Sequence, residues 1–276
     1  MSNGHFAVFT FFHHAESNTV QQSSLVKMED SSKDSFQFKE LDIEGLHTLE
    51  AVSEAVHFNR WMFEQVLPSM QGKVLEVGSG IGNISEFFIQ AGVDITLSDI
   101  RDNYCDALKK KFPGRSVLKM DLVDPQFELK YAALAGTFDG VFALNVVEHI
   151  EDDLLALKNI RYLLKPGGKV LILVPAGPIL YNKIDKGLYH FRRYTRRSLL
   201  RVLTGAGFGV EKSWMFNALG IPAWVAGGLV FRSNELKKGQ MNAYDKLIPL
   251  ARLLDAVTFK KLGLSVIAVG VRSAQR

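Results

Sequence analysis

The chain has 276 residues, 47% hydrophobic and 22% charged, which suits a protein with one sizeable core or one core plus a cap. Its 33 lysines and arginines against 29 acidic residues give a net charge of +4. Nucleic-acid binding needs basic residues clustered with aromatics on one face, so no nucleic-acid partner is expected. A single cysteine, Cys105, excludes an internal disulfide and a cysteine-based metal site, as fits a protein of the cytoplasm.

Residues 1–40 are rich in Ser, Gln, Asn and charged side chains, and we expect them to form a disordered tail. Their apolar stretch, residues 6–12, follows no basic segment and is too short to span a membrane. Met28 begins a polar stretch that resembles an ordinary protein start, so we expect residues 1–27 to be disordered or to arise from an upstream start codon. His13 and His14 are adjacent, but no third metal ligand is near them in the sequence.

One domain is expected over residues 41–276, and it begins with a helix. Apolar side chains recur near helical spacing over residues 46–67, which predicts a helix before the first strand. Residues 57–61 of this helix either line a ligand pocket or pack on the sheet.

A short buried strand, residues 74–77, then runs into a glycine-rich turn and a helix. The turn holds Gly78, Gly80 and Gly82, where the backbone can approach a ligand closely. Glu76 precedes the turn, where a nucleotide-type ligand would present hydroxyls or an amino group. No Gly-Lys-Ser/Thr follows, which excludes a P-loop, and Asn83 and Ser85 break the dinucleotide pattern Gly-x-Gly-x-x-Gly.

Two further strands end in acids. Residues 93–99 end at Asp99, about 20 residues past the glycines, where a doubly wound sheet places the carboxylate for ribose hydroxyls. Two carboxylate oxygens suit a cis-diol, because they accept two hydrogen bonds. Residues 116–121 end at Asp121.

A fourth strand, residues 138–145, ends at Asn145 and is followed by Val-Val-Glu-His-Ile. A helix is predicted over residues 152–164, and Lys-Pro-Gly-Gly at 165–168 ends it. Residues 169–175 are a fifth, wholly apolar strand.

These elements resemble the class I S-adenosylmethionine-dependent methyltransferases, especially the small-molecule enzymes of ubiquinone and menaquinone biosynthesis. The resemblance rests on the acid before Gly-x-Gly-x-Gly, the two acid-ended strands and the Leu-Lys-Pro-Gly-Gly block, and it covers roughly residues 46–210. It implies an α/β fold with a Rossmann-like, doubly wound sheet of seven strands. It also implies S-adenosylmethionine as cofactor, S-adenosylhomocysteine as product, and no metal.

The positions that match the family's cofactor site are Glu76, Gly78, Ser79, Gly80, Gly82, Asn83, Asp99, Ile100, Asp121, Leu122 and Asn145. In the family, an acid at the position of Asp121 meets the adenine amino group, and an apolar side chain at that of Leu122 lies on the adenine ring.

The segment after strand five is expected to be a substrate lid over residues 177–197, because it leaves the carboxyl end of a strand. Its polar side chains are Asp185, Tyr189, His190, Arg192, Arg193 and Tyr194. Arginine suits an anionic substrate group, because it binds carboxylate or phosphate in a bidentate way. The alternative is a solvated or carboxylate-paired face, favoured for Arg196 and Arg197. Thr195 is predicted to cap the helix that follows.

Four side chains are the candidate catalytic residues: His149, His190, Arg193 and Tyr194. An oxygen or nitrogen acceptor needs a base for its proton, and histidine titrates near neutral pH. His149 could instead orient its loop. A carbon acceptor would need no strong base at first, and aromatic faces could stabilise a cation.

The C-terminal third adds an apolar insert over residues 217–258, between strand six (residues 209–216) and strand seven (residues 264–271). A helix is predicted over residues 243–257. Pro222 and several glycines interrupt the insert, which argues against a membrane-spanning helix. Either it forms a pocket wall or a peripheral membrane contact, or it packs on the sheet or in a dimer.

The sequence thus favours methyl transfer to a small-molecule or lipid-like acceptor, by a monomer or homodimer. Alternatives are a non-catalytic subunit that binds S-adenosylmethionine, a methyltransferase acting on a protein, and another Rossmann-like enzyme. Another Rossmann-like enzyme is disfavoured, because the last glycine of the dinucleotide pattern is missing and the Leu-Lys-Pro-Gly-Gly block is present. Asn145-Val-Val-Glu148 also departs from the motif of methyltransferases that act on base amino groups.

Overall fold

The computed structural model describes residues 43–227 and 238–273. The tail expected over residues 1–40 lies outside the described residues, as do residues 228–237 within the apolar insert.

Seven strands form one sheet in the order β3-β2-β1-β4-β5-β7-β6. They are β1 (Lys73–Val77), β2 (Asp94–Asp99), β3 (Val117–Lys119), β4 (Phe138–Leu144), β5 (Leu164–Pro175), β6 (Phe208–Phe216) and β7 (Ser265–Arg272). The first five strands pair in parallel, and β7 is antiparallel to both of its neighbours. The doubly wound sheet of seven strands expected from the sequence is confirmed.

Helices pack on both faces of this sheet. They are α1 (Ile43–Ser53), α2 (Val56–Val66), α3 (Ser85–Gln90), α4 (Asp102–Lys111), α5 (Phe127–Lys130), α6 (Asp153–Leu163), α7 (Lys183–Gly187), α8 (Arg196–Gly205), α9 (Gly220–Val225), α10 (Lys238–Asp245) and α11 (Ile248–Val257). On one face, α6 and α8 bury Leu157, Ile160 and Leu203 against the sheet. On the other, α2 and α4 bury Trp61 and Leu108.

The helix predicted over residues 46–67 is wrong as a single element, because it is two helices, α1 and α2, that meet near Ala55. The carboxylate of Asp245, in α10, accepts hydrogen bonds from the backbone N–H groups of His57 (3.2 Å) and Phe58 (2.8 Å). These donors have no partner within the first turn of α2, so a distant carboxylate satisfies them.

The helix predicted over residues 243–257 is likewise two helices, α10 and α11. Proline cannot continue a helix but is tolerated in a first turn, and Pro249 stands at the start of α11. Strand β5 begins at Leu164 rather than at residue 169, so the Leu-Lys-Pro-Gly-Gly block lies inside it. The register between β4 and β5 shifts there, which accommodates the block.

Within the described part of the chain, no helix is long and apolar enough to cross a membrane.

Candidate functional site

The carboxyl ends of β1 and β4 lie where the order of the sheet reverses. Strands β2 and β3 lie beyond β1 on one side, and β5 lies beyond β4 on the other. Ligands of open α/β sheets bind in the crevice at such a point. The turn after β1 packs directly on the segment after β4, because a Cβ at Gly78 would collide with the side chain of Val146. The glycine-rich turn is therefore at the edge where the topology favours a ligand.

Three glycines give this turn its backbone conformation. Gly78, Gly80 and Gly82 have φ values of 71°, 53° and 81°, in the left-handed region that other residues rarely adopt. A Cβ at Gly82 would also collide with the ring of Phe112. From the sequence, glycine was expected here because it lets a ligand approach the backbone. In the structure, the left-handed backbone and the close protein neighbours already require glycine at these positions.

Asp99 ends β2 beside the turn. Its carboxylate accepts hydrogen bonds from the backbone N–H groups of Gly80 and Arg101, each at 3.0 Å. Next to it, the N–H of Ser79 donates to the carbonyl of Ser98 at 2.9 Å. Burial raises the pKa of Asp99. Each carboxylate oxygen retains a further lone pair, so Asp99 can still accept hydrogen bonds from two hydroxyls.

Glu76 points beneath the turn and supports it from inside. It is 4% exposed and accepts a hydrogen bond from the Ser85 hydroxyl at the start of α3. Burial raises the pKa of Glu76 to about 7, although hydrogen bonds from Ser85 and Ser79 act in the opposite direction. In this conformation Glu76 ties β1 to α3, and a direct contact with cofactor stays a prediction.

Helix α1 covers the turn. The side-chain amide of Asn83 donates to the carbonyl of Leu49 at 2.9 Å, and the Leu49 side chain lies over Gly80. The sequence had offered residues 57–61 for this position, but Trp61 packs in the core against Phe216, with ring centroids 4.3 Å apart. Sequence analysis therefore missed the contact of Leu49 with the glycine-rich turn. The contact depends on the break between α1 and α2, and one continuous helix was predicted instead.

The positions expected to hold adenine lie beyond β3. Asp121 is half-buried and accepts a hydrogen bond from the N–H of Val123 at 2.9 Å. Leu122 is buried in the core, and its carbonyl accepts from the amide of Asn159 at 2.8 Å. Ile100 is half-buried just past β2. The adenine assignments stay predictions, and the burial of Leu122 leaves it less accessible than Asp121.

The chain leaves β4 through Asn145, which is exposed and has a φ of 53°. Its N–H donates to the carbonyl of Leu173 at 2.9 Å. Asparagine tolerates this left-handed conformation better than most residues. A short 3₁₀ turn over Val147–His149 follows and brings two polar side chains to the sheet edge.

The lid segment, residues 177–197, folds back on itself. Ala176 and Tyr194 form a bridge at its base, and the short helix α7 lies within it. The N–H of Phe191 donates to the carbonyl of Glu148 at 2.8 Å, which fastens the segment to the turn after β4. The lid is thus docked on the predicted acceptor side of the site.

The lid and the turn after β4 bring together a cluster of titratable groups, in which Glu148, His190 and Asp185 are buried and His149 is half-buried. The rings of His149 and His190 lie edge to face with centroids 4.6 Å apart. His190 Nε2 is 3.9 Å from Glu148 Oε1, and its Nδ1 is 2.9 Å from Asp185 Oδ1. Burial lowers the pKa of His149 to about 3 and raises that of Glu148 to about 8.

Arg193 is occupied within the protein. Its Nε donates to Asp185 Oδ1 at 2.8 Å and its Nη1 to the carbonyl of Ala176 at 3.0 Å. The guanidinium also lies 4.4 Å from the ring centroid of Trp224. These contacts fix Asp185 behind His190, so the geometry supports a positioning role for Arg193 more than capture of an anion.

Tyr194 is also engaged away from solvent. Its hydroxyl donates to Asp153 Oδ2 at 2.7 Å, and the side chain is buried. The same oxygen, Asp153 Oδ2, also pairs with Arg192, whose Nη1 is 2.9 Å away. Burial and the bond to Asp153 raise the pKa of the Tyr194 hydroxyl. A catalytic role for Tyr194 stays a prediction, and its contacts support the lid.

Two members of the cluster were not singled out as catalytic candidates from the sequence. Glu148 stands directly before His149, and Asp185 stands five residues before His190. The first pair was visible as Glu-His after a strand, and the second as an acid and a histidine in one polar lid.

Comparisons with known proteins agree with this geometry. Residues 50–213 match the sequence model of a methyltransferase domain family. A ubiquinone biosynthesis O-methyltransferase of Xanthomonas axonopodis is 26% identical over 152 residues, covering 50% of this chain and 63% of that protein. The corresponding protein of Azotobacter vinelandii is 28% identical over 140 residues, covering 46% and 60%. The matched segment thus spans less than two thirds of either relative.

Solved structures share the fold at low sequence identity. A methyltransferase of Haloferax volcanii, solved with the Trm112 methyltransferase activator, superposes with a TM-score of 0.56 at 14% identity, covering 85% of this chain and 99% of that chain. A SAM-dependent methyltransferase of Archaeoglobus fulgidus gives 0.50 at 17% identity, covering 77% and 94%. By its domain match and its strand order, the chain belongs to the class I S-adenosylmethionine-dependent methyltransferase family.

Proposed function

We propose that this chain transfers the methyl group of S-adenosylmethionine to an oxygen of a small, lipid-like acceptor. The observation that carries the proposal is the contact between the glycine turn after β1 and the segment after β4, which bears Glu148 and His149. A cofactor at the turn would present its methyl group toward that segment. Two relatives named ubiquinone biosynthesis O-methyltransferase support an oxygen acceptor of this class.

The residues that would hold the cofactor are those of the strand ends. Asp99 has free lone pairs for the ribose hydroxyls, and Asp121 is accessible to an amino group. The cofactor supplies an electrophilic methyl group when bound. The protein then contributes mainly position and the exclusion of water, because the reaction is an in-line displacement. The lid, fastened at Phe191, serves that exclusion.

The acceptor hydroxyl must also lose its proton as the new oxygen–carbon bond forms and the carbon–sulfur bond breaks. His149, half-buried on the turn after β4, is one candidate base, but burial lowers its pKa to about 3, so its imidazole is neutral and holds a proton weakly. A neutral imidazole of this kind is better suited to accept a hydrogen bond or bind a cation. His149 as the general base stays a prediction that its burial disfavours.

A lipid-like acceptor is supported by the exposed face of α11 and the turn after it. This apolar surface comprises Leu247, Leu250, Leu253, Val257, Phe259 and Leu262. Three exposed lysines border it, Lys246, Lys260 and Lys261. Apolar side chains ringed by basic ones suit a surface that carries anionic lipid. We include peripheral membrane contact through α11 in the proposal.

The cofactor assignment predicts that Asp99→Ala weakens S-adenosylmethionine binding by about 1–3 kcal/mol, or roughly fivefold to 150-fold, because hydrogen bonds to a charged group are lost. Isothermal titration calorimetry measures it. Asp94→Ala, at the exposed start of the same strand, is the matched control and should bind as wild type. Equal affinity in Asp99→Ala and wild type would refute the ribose assignment.

The acceptor class predicts where a labelled methyl group goes. The full chain is incubated with methyl-labelled S-adenosylmethionine and a cell extract, and the label is partitioned between water and organic solvent while S-adenosylhomocysteine is quantified. We expect label in the organic phase. Label confined to the aqueous or protein fraction would contradict a lipid-like acceptor, and no S-adenosylhomocysteine above a protein-free blank would contradict methyl transfer.

The α11 surface predicts binding to vesicles of phosphatidylcholine with phosphatidylglycerol. Leu253→Glu should lower the co-sedimented fraction about fivefold, since it places a charge in the apolar face and repels anionic lipid. Leu129→Glu, which changes an exposed leucine on α5, is the control. If wild type and Leu253→Glu sediment alike, α11 is not the contact.

A further inference from the structure

The carboxyl group of Glu148 is buried without a hydrogen-bond partner among the described residues. Its side chain is 0% exposed. Other buried acids at this edge are satisfied, as Asp99 is by two backbone N–H groups. An unpaired buried carboxyl group is costly, and in native proteins such a group usually meets a water or an ion. Glu148 therefore points to a ligand at this position.

Two imidazoles stand beside this carboxylate. One ligand atom from each of Glu148, His149 and His190 lies within 4.8 Å of the others. Two protein ligands of one ion, each about 2.1 Å from it, lie roughly 3–4 Å apart. His190 Nε2 and Glu148 Oε1 already lie at 3.9 Å. Small side-chain rotations would bring all three atoms onto a single ion.

Outer contacts orient the imidazole of His190 toward the shared space. His190 Nδ1 is held by Asp185, so its Nε2 faces Glu148. Asp185 is fixed in turn by the guanidinium of Arg193. For His149, the backbone of Leu188 raises the pKa of the ring, against the larger effect of burial. Histidines that bind metals almost always have their second nitrogen held as that of His190 is.

We propose that Glu148, His149 and His190 bind one divalent transition-metal ion, with Asp185 orienting His190. One carboxylate and two imidazoles suit Mn²⁺, Fe²⁺, Co²⁺ or Zn²⁺ and leave coordination positions open. The resemblance to small-molecule methyltransferases had implied no metal, and this site departs from that expectation. That an open position meets the acceptor oxygen rests on the proposed function, whereas the binding of the ion does not.

The test is a titration of the full chain with Mn²⁺, followed by the loss of the electron paramagnetic resonance signal of the free ion. Wild type should bind one Mn²⁺ per chain. Glu148→Gln and His190→Gln should bind it at least about tenfold more weakly, and Asp185→Asn about tenfold to a hundredfold more weakly. His13→Gln combined with His14→Gln removes two histidines outside the site and should bind as wild type.

Melting temperatures separate a ligand from a merely structural residue. Without metal, Glu148→Gln should melt close to or above the wild-type temperature, because a neutral amide replaces a buried group that can carry an unpaired charge. Mn²⁺ should raise the melting temperature of wild type but not of Glu148→Gln. If Glu148→Gln fails to fold, His190→Gln and Asp185→Asn decide the matter in the same titration.

Any of three results would overturn the site: wild type binds neither Mn²⁺ nor Zn²⁺, the site variants bind Mn²⁺ as tightly as wild type, or binding is lost only in the variant with His13→Gln and His14→Gln. If methyl transfer proceeds at an unchanged rate in the presence of a chelator, the ion takes no part in the reaction. That last result would leave the proposed function standing, so the two failures are distinguishable.

Discussion

The packing of the glycine-rich turn on the segment after β4 is the constraint on which the rest of the site depends. Gly78 leaves no room for a Cβ beside Val146, so the two carboxyl-end segments are in direct contact. One of them carries the turn and, through Gly80, the hydrogen bond to Asp99. The other carries Glu148 and His149. A ligand at the first is thereby next to the chemistry of the second.

That packing buries carboxyl groups along one edge of the sheet. Three acids lie there, Glu76, Asp99 and Glu148, and they differ in their hydrogen-bond partners. Burial raises the pKa of Glu76, Asp99 and Glu148 alike. Glu76 receives the hydroxyl of Ser85, and Asp99 receives backbone N–H groups. For Glu148, only its own backbone N–H acts to lower the pKa by hydrogen bonding, and neither carboxylate oxygen has a partner at hydrogen-bonding geometry among the described residues. The first two acids are thus satisfied by the protein itself, whereas the carboxyl group of Glu148 is available to a cation or a ligand.

Local patterns were enough to predict the strands, whereas their arrangement in one sheet of seven came from the family resemblance. Apolar runs bounded by glycine, proline or acids predicted every strand within a few residues, except the start of β5. Thr195 was predicted to cap α8, and its hydroxyl accepts from the N–H of Ser198 at 3.0 Å. These features depend on residues close in sequence, which is why a single sequence reveals them.

Features that depend on distant residues were not predictable in the same way. The break between α1 and α2 is satisfied by Asp245, 188 residues from His57. The buried cluster needs the lid to dock on the turn after β4, which brings His190 beside Glu148. Arg193 was expected to face a substrate, but Asp185 and a carbonyl occupy it. No local sequence pattern indicates which charged side chain pairs with another charged side chain inside the protein.

A crystal structure of the full chain with S-adenosylhomocysteine would test the central claim most directly. The account predicts that the ribose hydroxyls lie within hydrogen-bonding distance of Asp99 and that the sulfur faces Glu148, His149 and His190. A cofactor bound elsewhere, or one whose sulfur faces away from this cluster, would contradict it.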